Sequence, residues 1–245
     1  MIIIPARIGS SRFPNKVLAD IAGLPMVIRT AKAVQKIDNV IIATDSQEVI
    51  EIAKQHNIEA ILTSDKHNSG TDRIYEAAEK LKLNDDEIII NVQGDEPFIE
   101  EEVVRAVYDL TVKHKNNEKV MMNSCYKFIN NPEADDPNIV KVITSDTNMA
   151  LYFSRAKIPY PRDHHFNEYK GHLGIYGFTK KSLEKFCALS SAPLEDIEKL
   201  EQLRALSHGY TIAMVSVETK SFGIDTPEDL ENALKLHNLK KDFNV

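Results

Sequence analysis

Cysteine is almost missing: Cys125 and Cys187 lie far apart in the chain, so neither a disulfide framework nor a zinc knuckle is indicated. Long apolar runs are missing too. The longest, Met149 to Phe153, has five residues, far short of the roughly 20 that a membrane-spanning helix requires. The opening run Met1 to Ile4 stops at Pro5, too short for the core of a signal peptide. An excess of basic charge is absent as well. Thirty Lys and Arg stand against 37 Asp and Glu, a formal net charge of −7, which argues against non-specific nucleic-acid binding. No repeat, low-complexity tract or Gly/Ser linker divides the chain. What is present, 42% hydrophobic and 27% charged residues among 245, excludes disorder, collagen and coiled coil. The length suits one large α/β domain or two small ones. The expectation is a soluble, reduced, cytoplasmic protein.

The first half alternates β-branched runs with amphipathic stretches. Met1–Pro5, Val40–Thr44, Glu59–Leu62 and Glu87–Val92 are Ile- or Val-rich and too short for helices, so they are predicted strands. Between them, Val49, Ile50, Ile52 and Ala53 mark a helix over Ser46–His56. Ile74, Ala77, Ala78 and Leu81 mark another over Thr71–Leu83. This alternation predicts βαβ units in a mostly parallel sheet, and near-continuous runs such as Ile88-Ile89-Ile90 fit strands covered on both faces. The second half is less regular. Lys119–Phe128, Val140–Thr144, Met149–Phe153 and Leu173–Phe178 read as strands without helices between them, which predicts antiparallel pairing. Ile158–Tyr169 reads as a long loop. Leu194, Ile197, Leu200 and Leu203 mark one face of a helix, and Thr211–Val217 is a last strand. Thr226-Pro227 with Asp229 three residues after Thr226 is a helix start: a capping hydroxyl, a pre-set proline, and acids at the positive end. One domain with an inserted antiparallel region is expected.

Ligands of parallel α/β sheets bind at the carboxyl ends of strands, so the loops there carry the functional reading. After the first strand runs Pro5-Ala6-Arg7-Ile8-Gly9-Ser10-Ser11-Arg12-Phe13-Pro14-Asn15-Lys16. Lys16 is followed by Val17, so this is no P-loop, and it lacks the three spaced glycines of a dinucleotide fingerprint. Each cation alone reads as easily as solvated surface. Three in one loop point to a polyanion such as a triphosphate. Asn91-Val92-Gln93-Gly94-Asp95-Glu96-Pro97 ends the fourth strand. Gly-Asp and Pro make ordinary turns, but acids opposite a basic loop at one sheet edge are better explained as ligands for a hard cation. In His67-Asn68-Ser69-Gly70-Thr71-Asp72-Arg73, small hydroxyls at a helix start serve equally as an N-cap or as contacts to a nucleotide. Asp225, just before the last helix, reads by itself as an acid favoured by the helix dipole. His164-His165 has no partner at ligand spacing, and no Gly-x-Ser-x-Gly elbow exists. The glycines of His172-Leu173-Gly174-Ile175-Tyr176-Gly177 and Gly171 before them lie in a strand pattern, where glycine marks close backbone approach.

Together these segments resemble the 3-deoxy-manno-octulosonate (Kdo) cytidylyltransferase family over essentially the whole chain. The resemblance rests on Ile4 to Arg7, Arg12 to Lys16, His67 to Arg73, Asn91 to Pro97, Tyr152 to Arg155, His172 to Gly177, Leu200 to Arg204 and Asp225 to Leu230. Asn-Val-Gln-Gly-Asp-Glu-Pro with His-Leu-Gly-Ile-Tyr-Gly is the restrictive pair. Two departures stand out: Phe13-Pro14-Asn15-Lys16 where the family has Leu-Pro-Gly-Lys, and Asp72 where it has Glu. Asn tolerates positive φ and Asp keeps the charge.

The resemblance implies a single three-layer α/β nucleotidyltransferase domain over 1–245. Its sheet would be mixed and mostly parallel, with an antiparallel insertion at a homodimer interface. It implies that CTP and Kdo give CMP-Kdo and pyrophosphate, with Mg²⁺, for lipopolysaccharide biosynthesis, with no nucleic-acid or membrane partner. Ala6, Arg7, Ser69, Gly70 and Thr71 would hold cytosine and ribose, and Arg12 and Lys16 the triphosphate. Asp95 and Asp225 would bind Mg²⁺. Gln93, Arg162, His172, Tyr176, Glu201 and Gln202 would hold the sugar acid, with Arg155 nearby. Those residue types suit in-line attack of the anomeric hydroxyl on the α-phosphorus, where two polyanions must be neutralised and positioned. Cytidylyltransferases for sialic acid or amino-substituted Kdo share that mechanism. A regulatory module that binds CTP without turnover would not need both acids.

Overall fold

A computed structural model describes residues 1–9, 13–67, 69–163, 166 and 168–237. In chain order its elements begin β1 (Ile2–Ala6), a 3-10 turn (Lys16–Leu18), α1 (Met26–Val34), β2 (Val40–Thr44), α2 (Gln47–Gln55), β3 (Glu59–Leu62), α3 (Gly70–Lys80), β4 (Ile88–Asn91) and α4 (Glu101–His114). There follow β5 (Val120–Ile129), α5 (Asn131–Asp135), β6 (Lys141–Thr144), β7 (Ala150–Ser154), β8 (Tyr169–Thr179), α6 (Lys180–Ala188), α7 (Pro193–Glu198), α8 (Leu203–Ser207), β9 (Thr211–Ser216) and α9 (Pro227–Leu236). These elements gather into two compact units. The first comprises Met1–Asn84, Ile89–Val104 and Lys220–Val245; the second comprises Asp85–Ile88 and Arg105–Thr219.

The first unit is the βαβ region that the hydrophobic pattern predicts. β1 pairs in parallel with β2, Ile2 opposite Val40 through Ala6 opposite Thr44. β3 adds in parallel to β2, and β4 to β1, giving the order β3-β2-β1-β4. Ile2, Ile3 and Ile4 have no exposed surface, as expected of a parallel strand covered on both faces. α2 starts where Ser46 accepts a hydrogen bond from the Val49 N–H, and α3 where Ser69 accepts one from Asp72. α9 packs Leu230, Ala233 and Leu234 against Ile21, Met26 and Ile224, which carries its N-terminus to the end of the sheet that bears the functional loops.

The second unit holds the antiparallel pairing. β5 runs antiparallel to β8, Cys125 opposite Leu173, and parallel to β9, Ser124 opposite Met214. β6 is antiparallel to β7 and meets β8 at Lys141 opposite Gly171. β8 starts at Tyr169, four residues before the predicted edge. Gly171 explains the extension: a Cβ there would lie 2.8 Å from Ile129 Cγ2, so only glycine lets the strands close.

Three expectations need correction. The predicted helix face Leu194–Leu203 is two helices, α7 and α8, because Lys199 takes a left-handed φ of 53° and breaks the run. Ile197 is then 77% exposed. Helices do intervene in the second half: α5 separates β5 from β6, closed by an Asn130–Glu133 capping box. α1, α4 and α6 are present where the sequence reading has no helix.

Candidate active site

The acidic and basic loops of the first unit meet at one cation. Asn15 adopts a left-handed φ of 54° and turns the chain into the 3-10 turn that carries Lys16. Asn is among the residues that tolerate this conformation without a glycine. Lys16 Nζ donates to Asp95 Oδ2 at 2.6 Å and to Asp225 Oδ1 at 2.8 Å. Burial acts against the ammonium, yet the two carboxylates outweigh it and raise its pKa above the ordinary lysine value. Asp95 and Asp225 lie far apart in sequence, but the backbone fixes their spacing. The Ile224 N–H donates to the Asp95 carbonyl at 2.9 Å, next to Asp225. Gly94 lets β1 and the turn after β4 close, since a Cβ there would sit 2.9 Å from the Pro5 carbonyl. Thr30 Oγ1 lies within 3.2 Å of the Gly94 carbonyl and 3.1 Å of Met26 O.

Asp225 is not the acid that serves the last helix. That role belongs to Asp229, whose Oδ2 accepts the N–H groups of Asp225 and Thr226 at 3.0 and 2.8 Å. The Asp225 carboxylate itself faces Lys16 alongside Asp95. Among the described residues, no group of three or more His, Cys, Asp or Glu gathers to hold a metal.

A second loop pair stands beside this cluster in the same unit. Ala6 is buried at the end of β1, and Arg7 is exposed just past it. Ser69 Oγ accepts from the Asp72 N–H at 3.0 Å and lies 2.9 Å from Asp72 Oδ2. A Cβ at Gly70 would lie 3.1 Å from the Pro5 ring and 3.8 Å from Gln93 Oε1, so Gln93, expected with the sugar, lies close to the base-loop residues. Thr71 is buried within α3. Arg12, Ser10, Ser11, Asn68, His164 and His165 lie outside the described residues.

The second unit gathers His172, Tyr176 and Gln202 into a neutral chain. Tyr176 Oη donates to Gln202 Oε1 at 3.2 Å, and Gln202 Nε2 stands 3.5 Å from His172 Nδ1. His172 Nε2 lies 3.0 Å from Ser124 Oγ, which in turn donates to the Ile175 carbonyl at 2.8 Å. Every group is satisfied when His172 carries its proton on Nε2. Burial pushes the imidazole down to about 3, so it is neutral. Burial, with Glu201 and Cys125 adding, pushes the Tyr176 phenol well above its ordinary value.

The two expected arginines stand apart from this chain. Arg155 spends its guanidinium on backbone carbonyls, Nε on Glu198 at 2.8 Å and Nη1 on Pro137 at 3.0 Å. Arg162 is 89% exposed and meets only the neighbouring Asp163 at 3.9 Å among the described ion pairs. Sequence reasoning missed Glu198, which accepts from Ser154 Oγ at 2.6 Å and the Arg155 N–H at 2.9 Å. It also missed Asp45 and Glu76. Burial acts upward on the Glu76 carboxyl, but Lys80, the Ser64 N–H and His67 pull it down to about 2. These are tertiary partnerships with no local sequence signal. No helix among the described residues is long and apolar enough to cross a membrane.

Comparison with known proteins shows what the chain resembles. A family model described as cytidylyltransferase matches residues 1–212. A 3-deoxy-manno-octulosonate cytidylyltransferase from Nitratiruptor sp. is 58% identical over 231 residues, covering 94% of this chain and 97% of the relative. One from Wolinella succinogenes is 53% identical over 240 residues, 96% of this chain and 98% of the relative. A solved CMP:2-keto-3-deoxy-manno-octonic acid synthetase complexed with CTP superposes with a TM-score of 0.88 at 36% identity, covering 97% of each chain. A cytidylyltransferase from Leptospira borgpetersenii, 17% identical with a TM-score of 0.57 over 97% of this chain and 94% of its own, shares the fold.

Proposed function

The chain belongs to the 3-deoxy-manno-octulosonate cytidylyltransferase family, and from that premise we infer that it transfers CMP from CTP to the anomeric hydroxyl of Kdo, releasing pyrophosphate. It is a nucleotidyltransferase, and its product supplies activated Kdo for lipopolysaccharide biosynthesis. One structural observation carries the reading to these residues. Asp95 and Asp225 converge within 2.6 and 2.8 Å of a single cationic atom, Lys16 Nζ. A phosphate-binding lysine and a cation-binding pair thus share one cluster.

Cytidylyltransferases typically use a divalent metal. The two carboxylates fit one: they are hard oxygen donors already aimed at one positive centre, and nucleotide phosphates and water would complete the shell of Mg²⁺. Such an ion would neutralise the α-phosphate and acidify the attacking hydroxyl. When CTP enters, Lys16 exchanges its carboxylates for the triphosphate. There, with Arg12, it stabilises the charge that builds on departing pyrophosphate. Ala6, Arg7, Ser69, Gly70 and Thr71 form a small pocket for cytosine and ribose.

Kdo falls to the neutral chain. The hydroxyls of a sugar suit Tyr176, Gln202 and the His172 ring, while Glu201 adds an acceptor. Arg162 supplies a planar fork for the carboxylate, and Arg155 holds the surrounding backbone. With its pKa near 3, His172 is a poor proton acceptor at neutral pH, so its role is to orient and not to act as general base. We take both units together as one cytidylyltransferase domain over 1–245 that works as a cytoplasmic homodimer. The test is pyrophosphate release from each of CTP, UTP, ATP and GTP, with Kdo, amino-substituted Kdo and sialic acid in turn. CTP with Kdo should be fastest, UTP weaker, and the purines nearly inactive. Faster turnover with ATP or sialic acid overturns the assignment.

A further inference from the structure

Arg73 is 2% exposed, and its side-chain hydrogen bonds go to none of the residues assigned to a substrate. Its guanidinium instead collects the loops that follow three adjacent parallel strands. Nη1 donates to Thr63 Oγ1 at 2.6 Å and reaches the Ser64 carbonyl at 3.2 Å, both just after β3. Nη2 donates to Asp45 Oδ2 at 2.9 Å, just after β2. The other oxygen, Asp45 Oδ1, accepts the N–H of Ile8 at 3.2 Å, just after β1. Thr63 closes the set, its N–H and Oγ1 both within hydrogen-bond reach of the Thr44 carbonyl at 2.7 and 3.0 Å. Ile8 follows Arg7 directly, and Arg73 sits one turn into the helix whose start carries Ser69, Gly70 and Thr71.

We propose that the Asp45–Arg73 pair is a positioning and specificity device, which holds the Arg7 side of the nucleoside pocket at a set distance from the Ser69–Thr71 side. The inference rests on the reading of those residues as the base-binding loops. A carboxylate is required at 45 because both of its oxygens accept, one from a guanidinium and one from a main-chain N–H. An amide has one acceptor oxygen, so Asp45→Asn must turn an NH₂ group toward one of those donors. The fork matters at 73 because Nη1 and Nη2 are separate atoms that each reach a different loop, whereas Lys would offer all its donors from one point. A pyrimidine pocket discriminates between cytosine and uracil through a few hydrogen bonds. Its selectivity therefore depends on the spacing of the loops that supply them.

The test compares Asp45→Asn, Arg73→Lys, Arg7→Ala and the double variant Arg7→Ala/Asp45→Asn in pyrophosphate release with CTP and with UTP, and in melting temperature. Losing a hydrogen bond to a charged group predicts that Asp45→Asn raises the KM for CTP about tenfold. The KM for Kdo should stay within about twofold, and the CTP-over-UTP preference should fall. Arg73→Lys should behave alike. Because Asp45 acts through the placement of Arg7, the double variant should be no worse for CTP than Arg7→Ala alone. Equal rises in both KM values overturn the proposal, as does an unchanged CTP-over-UTP ratio with a lowered melting temperature. So does full additivity in the double variant. If Arg7→Ala leaves the KM for CTP unchanged, the base-pocket reading itself falls, and the positioning role with it.

Discussion

The two units hold their candidate site groups in opposite ways. In the first, the pivotal contacts are between full charges: Lys16 between Asp95 and Asp225, and Arg73 on Asp45. In the second, the chain Tyr176–Gln202–His172–Ser124 is uncharged, with burial keeping the imidazole deprotonated and the phenol protonated. The contrast follows the proposed substrates. A triphosphate and a cation are met by charges that can exchange partners. Sugar hydroxyls are met by donors and acceptors whose directions are fixed and whose charge never changes. Charge exchange gives neutralisation; a neutral chain gives orientation.

The charged side should break hardest. Lys16→Met removes the donor proposed to meet the departing pyrophosphate and is expected to lower kcat by about 10²–10³-fold, as loss of a transition-state charge donor does. It also leaves the carboxylate pair without its resident cation. Calorimetry without CTP should then show tighter Mn²⁺ binding than in wild type. Equal binding would mean that Lys16 does not compete for the site. Asp95→Asn and Asp225→Asn come next, each expected to cost at least about 10–100-fold in turnover. The double variant should lose little more than the worse single one, because one missing ligand already misplaces the ion. Additive losses in steady-state kinetics would separate the two acids. Since Lys16 already neutralises the pair, neither variant should gain stability without metal, contrary to what two bare, repelling carboxylates would give.

Legibility divided along similar physical lines. β2 and β3 were readable to the residue because Val40–Thr44 and Glu59–Leu62 are short, mostly apolar runs on either side of the α2 pattern. The capping box of α9 was readable because Thr226, Pro227 and Asp229 act within one turn. α1 escaped because it starts after Pro25 with no side-chain cap. The false helix over Leu194–Leu203 arose because spacing cannot register a left-handed residue such as Lys199. In the site, the residue types of the two loops mark one as basic and the other as acidic. That Lys16 bridges acids 79 and 209 positions away, or that Asp45 takes one donor from the loop after β1 and one from α3, is a property of the folded sheet edge and has no local signal.

The neutral side predicts a smaller effect, read as stability against pH. His172 has a folded pKa of about 3 against an ordinary 6.5. The unfolded chain therefore binds the extra proton, so the contribution is complete above pH 6.5 and is lost as pH falls toward 3. The limiting slope is about 1.4 kcal/mol per pH unit. His172→Asn should flatten that decline in a melting-temperature series from pH 7 to 4; an unchanged slope would show that the ring is not desolvated. Glu76, held down at about 2, stabilises above pH 4.5 and loses that contribution as pH falls from there toward 2. Arg162→Ala is the mildest change. With 89% of its side chain exposed, it should leave the melting temperature unchanged and raise the KM for Kdo about tenfold or less. An equal rise in the KM for CTP would mean that the loop orders more than the sugar carboxylate.

The central claim is that this chain couples CTP to Kdo. A single ³¹P NMR experiment on the protein with CTP, Kdo and Mg²⁺ tests it most directly. The account predicts that the three CTP resonances give way to one sugar phosphodiester and pyrophosphate, in step and only when Kdo is present. Pyrophosphate release without Kdo, or a CTP spectrum left unchanged by an active-site concentration of protein, would contradict it.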